Sequence, residues 1–116
     1  SNDNGFEGFG EAYFSFIIFN KIKAWKKHRK ATLNLIVPIG EIQFVIYDDR
    51  EDSPTFENFC SVSLSRNNYR RLTIPPMVWM GFKGICNQNL LLDIMNFRHD
   101  LDEEDRRTVE SIPYSW

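Results

Sequence analysis

Residues 32–47 read TLNLIVPIGEIQFVIY, two β-branched runs divided by Pro38-Ile39-Gly40. That punctuation predicts a turn, with strands over Thr32–Val37 and Ile42–Tyr47 on either side. Within the runs, as in LNLIV and FVIY, apolar residues stand at both alternating positions. A strand of a one-sided open sheet presents a polar residue at every second place, so strands that are apolar on both faces need cover on both. The stretch therefore predicts a closed or sandwiched sheet.

The same period of two recurs along the chain. Further strands are expected over Glu11–Phe19, Ile22–Lys26, Phe59–Leu64, Arg71–Ile74, Val78–Phe82 and Asn89–Asn96. Turn signals separate them: the polar run Asp48 to Pro54, Arg66-Asn67-Asn68, Pro75-Pro76 and Asn87-Gln88. Eight short strands without long helical periodicity predict an all-β jelly roll. A length of 116 residues suits a single domain (1–116), with ten Phe, four Tyr and three Trp as bulky core filling. Residues 100–110, DLDEEDRRTVE, are expected to form a short helix. The strand-like but glycine-rich N-terminus is expected to lend an edge to a second copy.

A net charge of −2 argues against a general nucleic-acid binder, which would carry a basic excess. The charge is nevertheless uneven. Residues 21–30 hold six Lys and Arg, whereas 100–110 are acidic, a split that reads either as two solvated faces or as an anion site. Cys60 and Cys86 suggest neither a disulfide framework nor a zinc site. No apolar run spans a membrane and no signal peptide is visible, so a cytoplasmic protein is expected. With His28 and His99 the two imidazoles, no metal site and no cofactor are expected; His99 is read as a surface residue.

Three stretches in order, IKAWKKHRKATLNLIVPIGEIQFVIYDDREDSPT (22–55), VSLSRNNYRRLTIPPMVWMGF (62–82) and LLLDIMNFRHDLDEEDRR (90–107), resemble the dTDP-4-dehydrorhamnose 3,5-epimerase family of cupins. The resemblance covers about Asp3 to Arg107. It implies a cupin double-stranded β-helix and a nucleotide-linked 4-keto sugar as ligand. It further implies proton transfer next to the ketone in deoxysugar or surface-polysaccharide (lipopolysaccharide) synthesis, and a homodimer with no nucleic acid or membrane partner. Such chemistry needs a base near an acidified C–H, an acid on the opposite face and donors to the developing enolate.

Laid on this sequence, the family's base histidine falls on Lys26 and a second family histidine on Met80, while the tyrosine-bearing strand reads Leu90 to Phe97 with no tyrosine. The related nucleotide-sugar 3,4-ketoisomerases carry two histidines on the earlier strand, and these fall on Lys26 and His28. One imidazole is thus kept, and free imidazole titrates near pH 6.5, where it both takes and returns protons. The resemblance implies an isomerase with His28 as base and Lys26 stabilising an enolate. The alternative is a non-catalytic cupin that kept the pocket and lost its acid–base pair.

Lys26 and His28, two apart on a strand, share a face. If that face looks inward, a base and a cation meet in the cavity; if outward, His28 is a surface residue among lysines. Asn34, Gln43 and Asp93 interrupt apolar strands, where an unpaired polar group costs about 1–3 kcal/mol. Asn34 and Gln43 are read as lining the cavity or pairing in a core network, and Asp93 as orienting His28 or taking a proton. Trp79 and Met80 alternate, so one of them faces the cavity. The resemblance puts Phe9 against thymine, hydrogen-bonds Glu11 to it, and offers Lys23, Arg70 and Arg71 to the diphosphate, with at most one of the two adjacent arginines serving.

Overall fold

Nine strands form among the residues that the computed structural model describes, 8–98 and 101–116. They are β1 (Glu11–Ile18), β2 (Ile22–His28), β3 (Leu33–Ile39), β4 (Glu41–Tyr47), β5 (Phe59–Ser65), β6 (Leu72–Ile74), β7 (Trp79–Gly84), β8 (Gln88–Met95) and β9 (Glu104–Arg106). Antiparallel pairing gives two sheets, ordered β1-β8-β3-β6 and β5-β4-β7-β2-β9. This is the all-β jelly roll expected of the alternation and of the family. Between β3 and β4, Gly40 adopts φ +81°, a left-handed backbone that favours glycine.

Alternation decides what each face meets. Leu33, Leu35 and Val37 of β3 and Ile17 of β1 point inward from the first sheet and meet Ile42, Phe44, Leu64 and Met80 of the second. Each such side chain contributes about 1.5–3 kcal/mol on leaving water. The outer face of the second sheet carries Trp25, Val45 and Trp79, covered by Ile112, with Tyr114 and Trp116 packed alongside. The C-terminal segment thus supplies the second cover that FVIY requires.

Two expectations are corrected. Residues 100–110 form no helix where described: a 3-10 turn (Leu101–Glu103) leads into β9, and a second (Val109–Ser111) follows. With a weak apolar stripe there is little to hold a helix against the body, whereas extended backbone lies along β2. The pairs are Lys26↔Arg106, Lys27↔Asp105 and His28↔Glu104, with Arg29 N–H donating to the Glu103 carbonyl at 2.8 Å. The acidic and basic runs are therefore not two separate solvated faces; they are neighbouring strands whose charges pair. β1 pairs along its whole length with β8 of its own chain. His99 and residues 1–7, including the start of the segment expected to be exchanged, lie outside the described residues.

The loop after β4 is pinned by buried Asp48, whose carboxylate accepts bonds from the Arg50 amide and guanidinium and from the Ser53 and Thr55 hydroxyls. Arg50 first, with the two hydroxyls, holds this carboxyl well below its ordinary range despite burial. A depressed folded value means stability that is full above the ordinary carboxylate range and is lost as pH falls toward the folded value. Asp48→Asn should lower stability at pH 7 and flatten that part of the acid-unfolding curve, measured by urea titration from pH 7 to 2.

Candidate active site

Between the sheets lies a cavity of about 470 Å³, within the range of small-ligand sites. β2 supplies Lys23, Lys26 and His28, β7 Met80 and Phe82, β8 Leu91 and Asp93, β1 Tyr13 and Ser15, and β9 with the residue after it Arg106 and Arg107. A register shift explains how β2 gives so many. Lys23 pairs with Phe82 and Lys26 with Met80, three steps against two, so one extra residue bulges there. In a regular strand Lys23 and Lys26 would point to opposite faces; the bulge lets both reach the cavity. Trp25, which also touches the cavity, is buried under the C-terminal segment, its Nε1–H donating to the Val109 carbonyl at 3.2 Å.

The strand carrying the imidazole is fixed from two sides. The Met77 amide donates to the His28 carbonyl at 2.7 Å, from a left-handed backbone (φ 73°) at the Pro75-Pro76 corner. On the other side His28 Nδ1 lies 2.7 Å from Glu103 Oε2, while Glu103 Oε1 accepts the Lys30 and Ala31 amides at 2.8 and 2.6 Å. Burial alone would raise the Glu103 carboxyl, but the bonds from His28, Ala31 and Lys30 outweigh it and hold it below its ordinary range. A carboxylate there fixes the Nδ1–H tautomer and leaves Nε2 as the basic nitrogen. The ring is 5% exposed.

Lys26 Nζ stands 3.8 Å from Glu104 Oε2, which also accepts from Arg106 at 3.2 Å. Across the cavity, on the other sheet, Tyr13 donates its hydroxyl to Asp93 Oδ2 at 2.9 Å. Exposed Lys23 and Arg106 form a cationic rim; the Arg107 guanidinium turns instead to the Ser111 carbonyl at 2.9 Å and to the Trp79 ring. Among the described residues, no three His, Cys, Asp or Glu side chains converge as a metal-binding set.

Lys23, Lys26, His28, Met80 and Asp93 are thus brought together, and several expected partners are not. Gln43 lies on the outer face, donating to Tyr114 Oη at 3.2 Å and Ser61 Oγ at 3.1 Å; its neighbours Ile42 and Phe44 take the inward positions. Asn34 accepts from Thr73 Oγ1 at 2.7 Å, outward between buried Leu33 and Leu35. Trp79 donates to Asp49 Oδ2 at 2.8 Å on the face opposite Met80. Arg70 and Arg71 are exposed just before β6, away from the cavity lining. Neither Phe9, 68% exposed, nor Glu11 lines it.

Tyr13, Glu103, Arg106 and Arg107 escaped the sequence reading. Tyr13 carried a usable signal, because it alternates in phase with buried Ile17. Glu103 reaches the His28 ring, and Arg106 and Arg107 the cavity, only because β9 lies along β2, which no periodicity announces.

The sequence profile of the dTDP-4-dehydrorhamnose 3,5-epimerase family matches residues 24–110. A probable low-salt glycan biosynthesis epimerase of Haloferax volcanii is 33% identical over 104 residues, 89% of this chain. The chain spans 65% of that relative's length. The crystal structure of a dTDP sugar isomerase from Desulfovibrio desulfuricans superimposes with a TM-score of 0.93 at 39% identity, over 99% of this chain and 76% of that one. A dTDP-4-dehydrorhamnose 3,5-epimerase from Bacillus anthracis, crystallised with TDP and pyrophosphate, shares the fold (TM-score 0.84, 23% identity, 94% and 66% covered).

Proposed function

We infer that this chain, which belongs to the dTDP-4-dehydrorhamnose 3,5-epimerase family, binds a dTDP-linked 4-keto-6-deoxyhexose between its two sheets and moves a proton beside the ketone, in deoxysugar or surface-polysaccharide synthesis. The observation that carries this is the buried His28–Glu103 pair opening onto the cavity. Its Nε2 takes the proton from a carbon next to the ketone, and Lys26 offers its ammonium to the oxygen on which charge develops. The diphosphate lies on the Lys23 and Arg106 rim. Incubation with dTDP-4-keto-6-deoxyglucose in heavy water, read by NMR, tests the reaction: deuterium is expected beside the ketone.

Met80 favours a second reading. An apolar side chain stands in the cavity where the family has a histidine, which suits a cupin that binds the sugar without turning it over. Saturable binding with no exchange would establish that reading. No rise in melting temperature with any nucleotide sugar would sink both, since a ligand of the folded state must stabilise it.

Charge-assisted hydrogen bonds to phosphate contribute about 1.5–3 kcal/mol each. Arg106→Ala should therefore weaken thymidine diphosphate binding by about tenfold in calorimetry, with Arg71→Ala close to the parent. The opposite ranking would move the diphosphate elsewhere.

The reading includes a homodimer. Phe14, Phe16 and Ile18, 62–72% exposed, stand on the outward face of edge strand β1, beside Leu92 and Leu90 in register. An apolar face this continuous marks an association surface. Phe16→Asp is expected to shift sedimentation from dimer to monomer; a monomeric parent would refute the assignment. No helix of the described residues is long and apolar enough to cross a membrane, and a cytoplasmic setting suits the free thiols of Cys60 and Cys86.

A further inference from the structure

His28 can take a proton from one face of a bound sugar, but the product's configuration depends on what returns it. Met80 has no proton to give. On the opposite sheet stands a carboxyl that the chemistry above does not use. Asp93 is 5% exposed, lines the same cavity, and has its two oxygens in different states: Oδ2 accepts the Tyr13 hydroxyl, whereas Oδ1 is buried without a hydrogen-bond partner. A carboxylate oxygen left so would be costly. A carboxylic acid whose Oδ1–H is directed at a ligand would not.

The surroundings agree. Burial pushes the Asp93 carboxyl above its ordinary range; the Tyr13 hydrogen bond and the charges of His28 and Lys26 pull it back only in part, and Glu11 pushes it up again. Burial, then Asp93, holds the Tyr13 hydroxyl far above its own ordinary value, so it stays protonated as a fixed donor.

We propose that Asp93, through Oδ1, is the acid that returns a proton to the face of the sugar opposite His28, with Tyr13 as its positioning residue. The assignment rests on the proton-transfer reading above. In the forward step the C–H bond beside the ketone breaks, its proton goes to His28 Nε2, and its electron pair forms the enolate C=C as charge moves to oxygen. In the return step that pair takes the Asp93 proton on the other face, restoring the C=O. His28 is left protonated and Asp93 ionised, and exchange with water through the open rim resets both. Removal on one face and return on the other inverts the carbon. The cavity is thereby an epimerase site; a lone base would hand the proton back to the face it came from.

The test uses the full chain and dTDP-4-keto-6-deoxyglucose in heavy water, following by NMR both deuterium entry into the starting sugar and formation of its epimer. In Asp93→Asn the ratio of exchanged starting sugar to epimer is expected to rise by about 100-fold, the size of a lost general acid. A folded Asp93→Asn in which the two rates keep the parent's ratio would overturn the assignment. If that variant is too unstable to assay, Tyr13→Phe decides. Loss of its hydroxyl removes a bond that favours the Asp93 anion, so the alkaline limb of epimer formation should move to higher pH; an unmoved limb would overturn the proposal. The groups facing Asp93 in that titration are Tyr13 and Glu11 from β1 and Lys26 and His28 from β2. Absence of exchange in the parent at saturating ligand is a different failure: it removes the proton-transfer reading itself.

Discussion

Exchange of solvent deuterium into the keto sugar is expected to fall by about 10²- to 10⁴-fold in His28→Gln, the contribution of one general base. Glutamine keeps an amide of similar reach but has no basic nitrogen. Thymidine diphosphate affinity should be little changed, because His28 lies inside the cavity and not among the cations of its rim. Glu103 acts on the reaction through the ring, so Glu103→Gln should cost less and should alter the pH profile, since the neutral amide no longer fixes the Nδ1–H tautomer. Undiminished exchange in folded His28→Gln would assign the base to another group.

The largest loss of stability is expected at Trp25. It is 1% exposed, with its ring 5.5 Å from that of Trp116 and its Nε1–H bonded to Val109. It sits so close over β7 that a Cβ at Gly81 would meet the Ala24 Cβ at 2.6 Å and the Trp25 ring at 3.2 Å. Trp25→Ala should therefore cost about 3–5 kcal/mol, a large share of the total of about 5–15 kcal/mol typical of a domain, and lower the melting temperature by roughly 10–20 °C. Urea unfolding measures it against exposed Tyr69→Ala, where a change within about 0.5 kcal/mol is expected. A cost under about 1 kcal/mol at Trp25 would mean that the C-terminal segment does not seal that face. Trp25 also links stability to the site, because its burial outward sets Lys26 and His28 inward on the same strand.

The strands were legible because burial imposes a period of two: Leu33, Leu35 and Val37 alternate with outward Asn34 and Ile36 as the chain says they should. That phase, followed strictly, also puts Asn34 and Gln43 outside, which the functional reading of buried amides overrode. The site was half legible. Lys26, His28 and Asp93 lie on strands whose faces follow from alternation. The bulge that brings Lys23 round to join them is a one-residue change of register with no residue-type signal in KIKAWKK. Glu103, Arg106 and Arg107 depend on an acidic stretch lying along a basic strand more than seventy residues earlier, a long-range pairing that composition hints at and local pattern cannot express.

A crystal structure of the protein soaked with a dTDP-linked 6-deoxyhexose puts the central claim to its most direct test. The sugar ring should lie between the two sheets, with His28 Nε2 within hydrogen-bonding reach of a ring position, Asp93 on the other side, and the diphosphate against Lys23 and Arg106. A sugar bound outside this cavity, or one that leaves both His28 and Asp93 without contact, would contradict the account.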